Sequence, residues 1–200
     1  MAAEEVTRRV TCNSIEYMQI FKAKRRGQEA AKWQPPPAAM LKENVDGAYK
    51  LGDDFVTWGV IIRDAAGDVV QARAGKTEHV ADPFGGDVTA MADAVNMATE
   101  LGALRLVLET DSKLLQEALD FKKVDYTPYA AIIEDSKLQL KFWFSHIDVA
   151  LCRRQANTVA HELAQLRCIC SPSESETGTL MYRPKWRFVL RMICSCTVKL

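Results

Sequence analysis

The sequence has no long apolar segment. None of its 200 residues lies in a run that approaches the roughly 18 apolar residues of a membrane-spanning helix. The first residues, Met1 to Glu5, lack the basic start and apolar stretch of a secretory signal. We therefore expect no membrane partner and a cytoplasmic or nuclear location.

Cysteines with the spacing of zinc ligands are also missing. In both Cys168/Cys170 and Cys194/Cys196, a single residue separates the two cysteines, whereas zinc sites usually place two to four residues between ligands. With no secretory signal, we expect reduced thiols and no zinc site. The six cysteines are Cys12, Cys152, Cys168, Cys170, Cys194 and Cys196.

The sequence has no net charge, with 26 Lys/Arg and 26 Asp/Glu, but the charges are unevenly distributed. The two ends, residues 1–33 and 168–200, hold 12 of the basic and 6 of the acidic residues, which leaves residues 34–167 with 14 basic and 20 acidic. Strong non-specific binding to nucleic acid depends on neutralising phosphates. An acidic centre therefore predicts that any nucleic-acid contact is local or mediated by a metal ion.

Three consecutive prolines mark a boundary in the chain. Pro35 to Pro37 remove backbone donors and favour an extended conformation. We predict an N-terminal helical, basic extension over 1–33, a stiff linker over 34–40, a central domain over 41–167 and a C-terminal tail of unknown structure over 168–200. The basic run at 22–26 is read as a solvated helix face, with a nuclear signal or an RNA-contacting arm as the alternatives.

The central domain alternates strand and helix signals. Three strands joined by short turns predict an antiparallel meander, and a helix ended by Gly102 follows. The whole order predicts an α/β fold with a mixed sheet and helices on both faces. The predicted strands are 42–49, 55–63, 69–74, 104–110 and 142–149, and the predicted helices are 87–101, 112–119, 129–140 and 155–166.

Two aspartates stand at the polar ends of apolar strands. Asp46 follows Asn44-Val45, and Asp111 follows the run from Leu106 to Thr110. Neighbouring strands lie about 4.8 Å apart, so such carboxylates can share a divalent cation. Each also has an ordinary explanation, since Asp46 precedes a turn glycine and Asp111 precedes a helix that it could cap.

Four motifs together carry a resemblance to a known family. They are Leu-Lys-x-Asn-Val-Asp-Gly-Ala at 41–48, Gly-Val-Ile-Ile-Arg-Asp at 59–64, Glu-Thr-Asp-Ser at 109–112 and Arg-x-x-Asn-x-Val-Ala-His-x-Leu-Ala at 154–164. In this order they resemble the ribonuclease H type 1 domain in its plant, retroelement-derived form. The Trp-x-Pro-Pro-Pro stretch at 33–37 resembles the segment before this domain in plant reverse-transcriptase-like proteins.

The resemblance implies a five-stranded mixed sheet in the order 3-2-1-4-5, with the strands of Asp46 and Asp111 side by side at its centre. It also implies metal-dependent hydrolysis of the RNA strand of an RNA–DNA hybrid, with two divalent cations, Mg²⁺ or Mn²⁺, held by four carboxylates. By the resemblance, Asp46 and Asp111 are the first and third of these acids.

The other two positions depart from the family pattern. Asp87 stands where the family has a glutamate, so the acid is kept but is one methylene shorter. Asp87 is either a metal ligand or a helix cap, and it is free to be a ligand if Asp82 caps the helix. His161 stands where the family has the fourth acid and either partly replaces it or has no catalytic role. Asp148 and Glu162 are possible substitutes.

Four residues border the acids and are candidates for substrate contact through the 2′-OH and minor groove of a hybrid: Asn44, Gly47, Ala48 and Ser112. Ser112 is equally well explained by its place in the first turn of a helix. Neither His146 nor His79 corresponds to the mobile histidine of the family, and residues 121–125 are too short and too weakly basic for a hybrid-binding protrusion.

The leading hypothesis is therefore a monomeric, metal-dependent RNA–DNA hybrid ribonuclease, weakened by the changes at Asp87 and His161. Asp46, Asp87 and Asp111 are the predicted metal ligands, and together with His161 they form the predicted catalytic set. The alternative is a non-cleaving module that binds nucleic acid or a protein on the same scaffold. A retroelement remnant without a retained role is the third possibility.

Overall fold

The computed structural model describes residues 32–80 and 82–169. The chain divides into two compact units, residues 1–32 and 33–200, and every described residue after Lys32 belongs to the second. The predicted N-terminal helix, its basic run and the tail from residue 170 onwards lie outside the described residues. Within the described part, no helix is long and apolar enough to cross a membrane.

The centre of the fold is one five-stranded sheet in the order β3-β2-β1-β4-β5, as predicted. The strands are β1 Leu41–Tyr49, β2 Phe55–Arg63, β3 Val69–Glu78, β4 Arg105–Thr110 and β5 His146–Leu151. β1, β2 and β3 form the antiparallel meander, and β4 pairs in parallel with both β1 and β5. The strands that lead to Asp46 and Asp111 are therefore direct neighbours at the centre.

Four helices connect and cover the strands. They are α1 Pro83–Glu100, α2 Lys113–Ala118, α3 Ala130–Trp143 and α4 Thr158–Ile169. α1, α2 and α3 pack on one face of the sheet around a large apolar core that includes Val45, Ile62 and Leu108. α4 packs on the other face, where Ala160 and Leu163 meet Ile61 and Ala72.

The first helix begins at Pro83, four residues earlier than predicted. Asp82 caps it by accepting a hydrogen bond from the backbone of Gly85 at 2.8 Å, and the Tyr129 hydroxyl donates to the other oxygen of Asp82 at 2.6 Å. Proline suits the first helical position because its missing N–H would have no partner there. Asp87 is therefore not a cap and lies further along the helix.

The last strand begins at His146, so the prediction of a strand from residue 142 was wrong at its start. Phe142 and Trp143 end α3, pack edge to face with ring centroids 4.8 Å apart, and are 77% and 51% exposed. The run Phe142-Trp143-Phe144 has the aromatic composition of a strand. Only Phe144 is buried, and it is the residue at which the helix ends.

The first helix crosses β1 at very close range. A Cβ atom added to Gly47 would stand 2.4 Å from the backbone nitrogen of Asp87 and from the carbonyl carbon of Gly86. Only glycine leaves room for this approach. The contact sets the start of α1 directly beside the residue that follows Asp46.

Candidate active site

Asp46 lies on the α4 face of the central strand and is 6% exposed. Its Oδ2 is 2.7 Å from Nδ1 of His161, which comes from α4. Burial raises the pKa of Asp46, and the nearby Asp111 carboxyl raises it further, while the hydrogen bond with His161 lowers it. The first and third predicted acids therefore lie close enough for their charges to interact.

Asp87 faces the same place from α1. Its Oδ1 accepts a hydrogen bond from the backbone nitrogen of Gly47 at 3.0 Å. Burial, and then the charges of Asp46 and Asp111, raise its pKa to about 6, although hydrogen bonds from Ser112 and Gly47 oppose the shift. The shorter acid thus joins the other two because α1 passes so close to β1.

Asp111 follows β4 directly and is held by a residue that was absent from the predicted set. Asn157 donates from Nδ2 to Oδ1 of Asp111 at 2.8 Å and to the backbone oxygen of Val45 at 2.9 Å. Asn157 is 1% exposed. It directly precedes α4 and ties the strands of both acids to the start of that helix; the signal available in the sequence was its place in the motif at 154–164.

The helix after Asp111 is capped by its neighbour. Ser112 is the N-cap of α2 and accepts a hydrogen bond from Leu115 at 3.4 Å. The alternative explanation of Asp111 as the cap is therefore wrong, and its carboxylate is left for the cluster.

His161 contacts both Asp46 and Arg154. Its Nδ1 lies 2.7 Å from Oδ2 of Asp46. Nη2 of Arg154 lies 3.4 Å from Nδ1 and 3.2 Å from Nε2, and a single atom at these distances from both nitrogens lies over the face of the ring and not in its plane. The ring nitrogen that faces the acids is therefore occupied by Asp46, and the guanidinium stacks on the imidazole.

The sequence of residues 44–167 matches the model of the reverse transcriptase-like family. This match spans more than half of the chain. The chain belongs to that family. No curated protein matches its sequence.

Solved ribonuclease H domains have the same fold. The N-terminal ribonuclease H domain of a Mycobacterium tuberculosis protein, fused to maltose-binding protein, is 20% identical with a TM-score of 0.57 over 63% of this chain and 91% of that one. Ribonuclease H1 of Halobacterium salinarum is 17% identical, with a TM-score of 0.54 over 63% and 95%. LC11 ribonuclease H1, solved with an RNA/DNA hybrid, is 15% identical, with a TM-score of 0.56 over 62% and 94%. These matches confirm the predicted ribonuclease H-like fold.

The side chains of the acid cluster are suited to a hard divalent cation. Asp46, Asp87 and Asp111 offer only oxygen atoms, which suit Mg²⁺ or Mn²⁺. Burial and mutual repulsion raise the pKa of both Asp46 and Asp87, and a bound cation would relieve that repulsion. Across residues 32–80 and 82–169, however, no group of three or more His, Cys, Asp or Glu residues is already arranged as a metal site.

The four predicted substrate contacts differ in their burial and in the bonds that they make. Asn44 is 1% exposed and both polar atoms of its side chain are bonded, Oδ1 to Trp33 and Nδ2 to Glu109, so it is not presented to a substrate. Ser112 is hydrogen-bonded to Asp87 and caps α2. Gly47 and Ala48 are half-buried beside the acids and stay predictions as substrate contacts.

Of the two possible substitute acids, Asp148 is paired with a histidine on β5, and Glu162 stays a prediction. His146 pairs with Asp148 on β5 at 3.1 Å, and their side chains are 45% and 61% exposed. His79 follows β3 with a positive φ of 60°. Among the described residues, Cys152 is a free thiol, and burial followed by the charges of Glu109 and Asp111 raises its pKa to about 12.

Proposed function

We propose that this chain is a metal-dependent ribonuclease acting on the RNA strand of an RNA–DNA hybrid, with a rate reduced by the loss of the fourth acid. The observation that carries the proposal is the meeting of three carboxylates from three separate elements, β1, α1 and the end of β4. Burying three such groups against one another has an electrostatic cost that a purely structural role does not require.

Each residue of the cluster has a distinct task in this mechanism. Asp46, Asp87 and Asp111 would hold one divalent cation, which when bound would promote attack of water on a phosphodiester and stabilise the charge that develops. Gly47 and Ser112 hold Asp87, and Asn157 holds Asp111, while each carboxylate has further acceptor positions for the cation. His161 orients Asp46.

Arg154 gives the site a cationic group. It lies in the loop between β5 and α4, is exposed, and reaches the cluster through His161. Where the family has its fourth carboxylate, this chain therefore has an imidazole with a guanidinium beside it. We propose that Arg154 contacts a phosphate of the hybrid, because a planar guanidinium matches phosphate oxygens.

A second candidate function follows from the occupied imidazole. With no fourth oxygen ligand, and with Nδ1 of His161 occupied by Asp46, the same surface would bind a hybrid without cleaving it. This is the non-cleaving module, and it differs from the nuclease in turnover and in its dependence on metal.

The deciding experiment incubates the full chain with a labelled RNA–DNA hybrid in Mg²⁺, in Mn²⁺ and in EDTA. We expect slow cleavage of the RNA strand with either cation and none in EDTA. Asp111→Asn keeps the shape of the side chain but removes its charge, so we expect at least a roughly hundredfold loss of rate. Asp148→Asn, on the exposed end of β5, is the matched control and should cleave as the unaltered chain does.

The outcomes separate the two functions. Metal-dependent cleavage that Asp111→Asn removes supports the nuclease. Hybrid binding that persists in EDTA, with no product in either metal, supports the module and rejects the nuclease.

A further inference from the structure

We infer that Trp33 is a positioning residue for the acid cluster, and that residues 33–37, here named the lead-in, are a working part of the domain. The inference rests on the proposed function in treating Asp46 and Asp111 as a site. Its basis is a buried network that joins Trp33 to the layer of side chains immediately beneath the two acids.

On the sheet, Trp33 makes one hydrogen bond and has two cationic side chains near its ring. Its Nε1 donates to Oδ1 of Asn44 at 2.9 Å. The guanidinium of Arg63 lies 4.5 Å from the centre of the ring, and Nζ of Lys42 lies 5.6 Å from it. Asn44, Arg63 and Lys42 are each less than 9% exposed, so these contacts are made in a desolvated layer.

Asn44 and Lys42, the partners of Trp33 in β1, both bond to Glu109 in β4. Nδ2 of Asn44 donates to Oε2 of Glu109 at 3.0 Å, and Nζ of Lys42 donates to Oε1 at 2.6 Å. Both oxygens of this carboxylate are thus held by β1. Lys42 also donates to the backbone oxygen of Gln34 at 2.9 Å, which fastens the lead-in at a second point.

This bridge stands directly below the site. Asn44 and Glu109 are register partners, and each precedes its catalytic aspartate by two residues, so all four side chains lie on the same face. The parallel pairing of β1 with β4 ends at Val45 and Thr110, one residue before the acids. Beneath the acids, the bridge from Asn44 to Glu109 is therefore the last described side-chain link between the two strands on that face.

The lead-in is suited to holding a tryptophan in place. Pro36 is buried, and Met40 closes a turn by donating to the backbone oxygen of Pro37 at 3.2 Å. Prolines restrict the unfolded chain, which lowers the entropy lost when the segment docks. The lead-in is therefore a docked part of the domain and not a flexible linker.

The test uses Trp33→Phe in the full chain, because phenylalanine keeps an aromatic ring over Arg63 but cannot donate to Asn44. The matched control is Trp143→Phe at the exposed end of α3. We expect Trp33→Phe to weaken Mn²⁺ binding, measured by electron paramagnetic resonance, about tenfold, as loss of supporting contacts around metal ligands does elsewhere. The control should bind Mn²⁺ as the unaltered chain does.

A second readout needs neither metal nor substrate. In ¹⁵N-labelled protein, Trp33→Phe should shift the amide resonances of Glu109 and Asp111, and Trp143→Phe should leave them in place. Asn44→Leu should cause the same shifts, and adding Trp33→Phe to it should cause little more, because Trp33 acts through Asn44.

The inference is overturned if Trp33→Phe leaves the resonances of Glu109 and Asp111 unchanged, or if the effects of Trp33→Phe and Asn44→Leu simply add. Failure of the proposed function is a different result. An unaltered chain that binds no Mn²⁺ and cuts no hybrid would reject the nuclease, while the amide shifts would still decide whether Trp33 positions the two aspartates.

Discussion

At the scale of the residue, the chemistry of the cluster depends on which lone pairs are free. Each of the three aspartates is hydrogen-bonded to at least one protein group, Asp87 to both Gly47 and Ser112, and a carboxylate has further acceptor positions to offer. Nδ1 of His161 is occupied by Asp46, and the guanidinium of Arg154 lies over the ring. His161 is thus a partner of an acid and not a replacement for one.

Replacing His161 by aspartate should return an oxygen ligand to the cluster. We expect His161→Asp to bind Mn²⁺ about tenfold more tightly and to cleave hybrid faster, because a fourth carboxylate adds both a ligand and a negative charge. Isothermal titration calorimetry with Mn²⁺ measures the first effect. His146→Asp is the control, and unchanged or weaker binding in His161→Asp would contradict the placing of residue 161 at the missing fourth ligand.

Residues of the cluster could be predicted where a motif or the family resemblance pointed to one position in the sequence. Asp46 and Asp111 were found because each belongs to a recognisable motif, and Asp87 because the family has a glutamate at its position; the structure brings the three together. Arg154 and Asn157 belong to the motif at 154–164, but nothing in that motif predicts that Asn157 holds Val45 and Asp111 or that Arg154 contacts His161.

At the scale of the element, the position of α1 against β1 decides whether Asp87 reaches the cluster. The crossing depends on Gly47 and Gly86, and the cap at Asp82 fixes where the helix starts. The sequence pointed to the helix and to the alternative cap. It did not predict the start at Pro83, because the apolar periodicity begins only at Val88.

A methyl group at Gly47 should push the helix away from the strand. We expect Gly47→Ala to lower the free energy of unfolding by about 1–3 kcal/mol, the usual cost of overpacking, as measured by urea denaturation. It should also abolish cleavage by moving Asp87. Gly86→Ala is the comparison, since its added Cβ would meet Gly47 at 3.2 Å, where a small shift suffices. Equal losses in the two variants would argue against the crossing as described.

At the scale of the whole molecule, most of the strands and helices could be predicted because strand alternation and helical periodicity are local signals. The order of the sheet came from the family resemblance. Two features were not predicted: the end of α3, whose aromatic residues imitate a strand, and the docking of Trp33, which requires partners on two strands. Both depend on burial, which is a property of the folded chain.

The stability of the whole domain should depend on pH through Glu43. This residue of β1 is completely buried in the main core, and both of its side-chain oxygens lack a partner among the described residues. Burial, and then the charge of Asp93, raise its pKa from 4.5 to about 8. Asp93 is itself paired with Arg73 of β3 at 2.9 Å, and Arg73 also reaches Glu100.

A raised pKa means that the folded state holds the proton more tightly than the unfolded state. The stabilisation is complete below pH 4.5, falls as the pH rises, and is lost once the pH passes about 8. At about 1.4 kcal/mol for each pKa unit, the loss between pH 5 and pH 9 is on the order of 4 kcal/mol.

Glu43→Gln should remove most of this dependence, because the amide has nearly the same shape and no charge to bury. Urea denaturation at pH 5 and pH 9 measures it, with Glu117→Gln on the exposed face of α2 as the control. A variant that loses stability between these two values as steeply as the unaltered chain would show that Glu43 is not the group responsible.

The bonds that complete the cluster join residues far apart in the chain. His161 and Asp46 are separated by 115 positions, and Asn157 and Val45 by 112. A ribosome delivers β1 early and α4 last among the described elements, so for most of synthesis Asp46 and Asp111 have no partner from α4. The capacity to act on a substrate should therefore appear late and abruptly during synthesis, when α4 docks onto a sheet that has already formed.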